Sequence, residues 1–139
     1  MLILMLCASL TGCDQLKRFI GSGERAIIYC DVGQQVVAQL VEDKLITPEK
    51  AAAISEAVAR IRAGASVFVE RARSYLGRKI DAGIKAELAA LLPEIVAGLD
   101  QLENAGLIDL KPEVKRKFDT VMAMLKALVR LNESRLNSP

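Results

Sequence analysis

Histidine and tryptophan are both absent from this chain of 139 residues. The lack of histidine removes the commonest general base and the commonest metal ligand together. Aromatic residues make up only 4% of the chain against 52% hydrophobic residues overall. Any core must therefore be aliphatic, and that much apolar content excludes a disordered chain. The net charge of +2 is too small to point to a nucleic-acid partner. Cysteine is scarce as well, with Cys7, Cys13 and Cys30. The chain is of a length for one domain with a real core.

The first uncharged run is also informative for being short. From Met1 to Cys13 only Ser9 and Thr11 carry polar side chains, and Asp14 closes the run. That suits a signal-peptide core of roughly 7–15 apolar residues and falls short of the roughly 20 a membrane span needs. Gly12 supplies a small residue at a cleavage position before Cys13. The stretch Leu10-Thr11-Gly12-Cys13 resembles the lipobox of bacterial lipoproteins, although no Lys or Arg precedes Lys17. The resemblance implies removal of residues 1–12 after Gly12 and a lipid on the sulfur of Cys13. In proteobacterial lipoproteins that resemble this one, an aspartate following the lipidated cysteine implies retention at the inner membrane, which is the role expected of Asp14. On this reading Cys7 leaves with the signal and Cys30 is the remaining free thiol. It is either a small buried hydrophobe in Ala26-Ile27-Ile28-Tyr29-Cys30 or an intermolecular disulfide partner.

Residues 13–23 read as the lipidated cysteine and a tether, with Gly21-Ser22-Gly23 as a flexible joint. Lys17 and Arg18 in that tether are candidates for contact with anionic headgroups. The domain proper is expected over residues 24–136.

That domain reads as all-α. A first helix is expected over Glu24–Lys44, with Ile28, Val32, Val36, Val37, Leu40 and Val41 on its apolar face. Gly33 lies inside it, where a neighbour could approach. Thr47-Pro48-Glu49 marks the next start: a cap, a proline at the first helical position and an acid at the positive dipole end. Ala51, Ile54, Val58, Ile61, Ala65, Phe68, Ala72 and Tyr75 then recur in steps of three and four. Ala63-Gly64-Ala65 thins this helix, and Gly77-Arg78-Lys79 is its stop. A third helix is capped by Asp81 and carries Ile84, Leu88, Leu91, Leu92, Ile95, Leu99 and Leu102. Pro93 inside it predicts a kink or break near Leu92. A fourth follows Pro112 to about Leu136, with Val114, Phe118, Val121, Met122, Leu125, Leu128 and Val129 inward.

Gln39 to Ile46 is echoed by Gln101 to Ile108, each copy leading to Pro-Glu. Capping chemistry alone favours such corners, so duplication and convergence both stay open. Either way the expectation is two helical hairpins forming a four-helix bundle. Charge alternates in blocks. Residues 24–56 and 87–109 are acidic, while residues 60–85 and 111–135 are basic. Antiparallel neighbours can thus face opposite signs.

No catalytic constellation accompanies these elements. There is no phosphate loop, no zinc spacing and no calcium loop, so neither a cofactor nor a metal is expected. Asp100 and Glu103 stand a turn apart on what reads as a solvated face. The expectation is a non-enzymatic, membrane-anchored periplasmic interaction module with a protein partner in the cell envelope, able to form homo-oligomers. Small helical lipoproteins also occur in phages and prophages, in lysis and superinfection-exclusion roles, an analogy of architecture only. The alternative is a soluble cytoplasmic helical protein that binds nucleic acid or an oligomeric partner.

Overall fold

The computed structural model describes the backbone of residues 2–105 and 112–137. Side chains are described for residues 15–105 and for 112–136 apart from Val114, Lys117 and Phe118. The expectations for the side chains of Gly12, Cys13, Asp14, Val114 and Phe118, and for Gly106 to Ile108 of the repeat, lie outside the described residues.

Four helices make an all-α bundle: α1 (Leu2–Glu42), α2 (Pro48–Ser74), α3 (Ala82–Asn104) and α4 (Pro112–Asn137). α1 packs on α2 and α4, and α3 on the same two, without diagonal helix pairs among the described residues. The order is up-down-up-down: Arg73 and Arg62 of α2 meet Glu24 and Asp31 of α1, and Glu103 of α3 meets Lys126 of α4.

Local chemistry sets the boundaries. The Thr47 hydroxyl accepts from Lys50 N at 3.2 Å, and the Asp81 carboxylate accepts from Ile84 N at 2.8 Å. Both are the caps the sequence predicts. α1 ends in a Schellman arrangement. Lys44 takes φ 55°, and the Leu45 N–H donates to the Leu40 carbonyl at 2.9 Å. Gly77, at φ +84°, turns the chain between α2 and α3 where a stop is expected.

On α2 the face from Ala51 to Ala72 is buried as its spacing predicts, with Tyr75 half-buried just past the helix end. On α3 the expected face is likewise buried, Leu91 only in part. Of the described part of the α4 face Val121, Met122, Leu125 and Val129 are buried, Leu128 only in part. The charge blocks meet as expected. Besides the pairs already named, Arg60 of α2 donates through Nε to Glu94 of α3 at 2.6 Å and through Nη1 to Gln101 at 3.2 Å. The Arg60 guanidinium holds the Glu94 carboxyl below its usual range. These are exposed pairs, so they orient the helices more than they stabilise them.

Three expectations need correction. Gly21-Ser22-Gly23 is not a joint: α1 runs through it unbroken. Leu16 and Phe19 are fully buried, and Phe19 meets Phe68 edge-to-face at 6.2 Å. The bundle therefore starts by Leu16, not Glu24. Glycine is needed at position 23 for proximity, since a Cβ there would collide with Cγ2 of Val69.

The inner face of α1 is also rotated. Of the expected face Val37 and Leu40 are buried and Val36 is half-buried, but Ile28, Val32 and Val41 are exposed, and Ser22, Gly23, Ala26, Cys30 and Gly33 face inward instead. Small side chains let α1 lie close to its neighbours, and close packing outweighs the gain from burying larger side chains there.

Of the kink or break expected near Leu92, the break is not there, since α3 is continuous from Ala82 to Asn104. The proline sits on an exposed position, and Ala89, whose carbonyl it leaves without a helical donor, is only half-buried.

Candidate functional site

The geometry of α1 decides what Cys13 is next to. On the α1–α2 seam Glu24 meets Arg73, Asp31 meets Arg62, and the Gln34 side chain reaches the Ser55 carbonyl at 2.9 Å. Carried back along two antiparallel helices, this register sets position 13 level with the turn between α2 and α3. That turn exposes Leu76, Arg78 and Lys79. Leu16, the first described buried side chain, is one helical turn from Cys13, roughly 4.5 Å along the axis. Position 13 thus belongs to an end of the bundle, and that end carries exposed cations.

At this end α1 and α4 leave a groove of about 530 Å³. Lys17, Arg18, Gly21, Ser22 and Arg25 line it from α1, and Leu131 and Arg135 from α4. The other three seams carry interhelical ion pairs, whereas here cation faces cation. Among the described residues no carboxylate pairs with Lys17, Arg18, Arg25 or Arg135. Ser22 is buried at the groove wall, and the space over Gly21 is open, with no atom within 4 Å of a Cβ built there.

Of the residues singled out in the sequence, Lys17 and Arg18 come together in this groove. They do so from a rigid helix, not from a tether. Arg25 and Arg135 were missed. Arg25 was recoverable, because it follows Lys17 and Arg18 at two-turn helical spacing once the helix is extended through Gly21-Ser22-Gly23. Arg135 has no local signal, since only the packing of α4 on α1 brings it there.

Cys30 is elsewhere and plays no part in the groove. It is fully buried between α1 and its neighbours. Burial pushes its thiol up to about 12, and the nearby Asp31 carboxylate adds to the shift. Full burial makes Cys30 a core side chain, the first of its two expected roles.

A second surface is apolar. Ile28 and Val32, one turn apart on α1, are exposed, and Val32 continues into a groove of about 310 Å³ shared with Leu40, Leu45 and Glu113. Asp100 stays exposed, and Glu103 is engaged by Lys126. Among the described residues no group of acids and thiols is placed to hold a metal, and no helix is long and apolar enough to cross a membrane. Comparison of this chain with protein-family models, with curated proteins and with solved structures finds no match.

Proposed function

We propose that this chain is a lipoprotein, anchored at the periplasmic face of the inner membrane through Cys13, that presents a non-enzymatic helical interaction module to a partner in the cell envelope. The observation that carries the reading is a coincidence of two independent features. The lipobox-type cysteine falls, by helix register, at the same end of the bundle as Lys17, Arg18, Arg25 and Arg135, cations that no described carboxylate pairs with.

Two further points support it. Cleavage after Gly12 spares every described core residue, since the first of these is Leu16. The exposed pair Ile28 and Val32 gives a face by which a bound protein can be gripped at some distance from the bilayer. Asp14 in this reading is the residue that keeps the mature chain at the inner membrane.

The test is metabolic labelling with radioactive palmitate. The native chain takes up label and is shortened, whereas Cys13→Ser stays unlabelled and keeps its full length. A native chain that is unlabelled and fractionates with soluble protein contradicts the proposal.

A further inference from the structure

We infer that the groove between α1 and α4 is a binding site for the phosphate of an anionic glycerophospholipid headgroup. The choice of a lipid source rests on the membrane-anchored reading above; the site itself does not.

Three properties of the groove point to a phosphate. Lys17, Arg18, Arg25 and Arg135 converge on one concavity from two helices, and no described carboxylate neutralises them. Elsewhere the bundle pairs its interhelical cations: Arg60, Arg62, Arg73 and Lys126 each have an acid on the neighbouring helix. An arrangement of four like charges is unfavourable by itself and becomes favourable when an anion occupies it. Arginine supplies the planar fork that matches phosphate oxygens, and Ser22 adds a hydroxyl at the wall. Gly21 leaves an open bay among the cations where a side chain would stand.

Two properties point to a lipid. The groove is at the end of the bundle level with Cys13, where an anchored chain meets headgroups. Leu131, 42% exposed, gives the same groove an apolar patch for the first carbons of the glycerol and acyl chains. A headgroup contact of this kind adds to the lipid anchor and holds this end of the bundle against the bilayer.

The test uses the full chain carrying Cys13→Ser, so that lipidation cannot contribute and the two readings fail separately. Sedimentation with vesicles of phosphatidylglycerol and phosphatidylcholine is compared with vesicles of phosphatidylcholine alone. Binding to the anionic vesicles is expected, and Arg25→Gln with Arg135→Gln lowers it roughly thirtyfold, the scale for two cations at an anionic surface. The control pair Lys115→Gln with Arg116→Gln, on the opposite end of α4, removes the same charge and leaves binding nearly unchanged. Gly21→Leu keeps the charge and fills the bay, and it also weakens binding. Equal loss in the control pair, together with an indifferent Gly21→Leu, shows a diffuse charge effect and overturns the site. Protection of the chain by glycerol phosphate in a thermal melt without any vesicle binding assigns the groove to a soluble phosphate ester and overturns the lipid assignment.

Discussion

Gly98 of α3 lies so close to α2 that a Cβ at position 98 would stand 2.7 Å from Cγ1 of Ile61. Gly64 of α2 meets Ile95 of α3 in the reciprocal way, at 2.9 Å. Each helix offers a glycine to the other's isoleucine, one turn apart, so the two helices lie close at this point of the α2–α3 seam. Gly98 has the least room, since Ile61 N would also lie 3.2 Å from the added carbon. Gly98→Ala is expected to cost about 1–3 kcal/mol by overpacking, and Gly64→Ala somewhat less. Gly33→Ala should go the other way. Its Cβ would meet Val58 and Val121 at 3.8–4.0 Å, an ordinary contact, and alanine gains about 0.5–1 kcal/mol of helix propensity. Urea titration of the three variants checks both signs.

Phe19 tests the correction made to the start of the domain. A tether residue can be truncated at no cost, whereas a fully buried ring against Phe68 cannot. Phe19→Ala is expected to destabilise the bundle by about 3–5 kcal/mol in chemical denaturation. A change within a few tenths of a kcal/mol would restore the flexible joint.

Asn132 is a polar residue in the core of α4, 5% exposed, and its Oδ1 has no hydrogen-bond partner among the described residues. A buried acceptor left unpaired costs about 1–3 kcal/mol. Asn132→Leu is expected to raise the denaturation midpoint without changing the slope.

Cys30 gives the fold a dependence on alkaline pH. In the folded chain its thiol is raised to about 12, while in the unfolded chain it ionises near its ordinary 9.0. The unfolded state thus releases a proton that the folded state keeps. This contribution is complete below pH 9 and is lost as pH rises towards 12, at a slope of up to about 1.4 kcal/mol per pH unit. Cys30→Ala should flatten that limb, measured by urea titrations between pH 8 and pH 10.5 as a difference from the parent chain. In the native chain at neutral pH a maleimide should leave Cys30 unmodified until the protein unfolds.

How much of this was legible in the sequence depends on side-chain size. α2 and α3 could be read because apolar residues, most of them large, recur at helical spacing from Ile54 to Phe68 and from Ile84 to Leu102. Thr47 and Asp81 could be read because a cap is a local interaction. α1 could not. Its inner face is built of Ser22, Gly23, Ala26, Cys30 and Gly33, which carry little hydrophobic signal, while Ile28 and Val32 point outward. The same small residues made Gly21-Ser22-Gly23 resemble a linker, and the linker reading hid the two-turn spacing of Lys17 and Arg25. The groove was half visible: Lys17 and Arg18 stand in one stretch, but Arg135 joins them only through the packing of α4 on α1.

Everything proposed about location turns on Cys13, and the mass of the native chain purified from a membrane fraction tests it most directly. A mature polypeptide that begins at Cys13 and carries the added mass of a diacylglyceryl group is the expected result. A chain that retains Met1 to Gly12 with an unmodified Cys13 would contradict it.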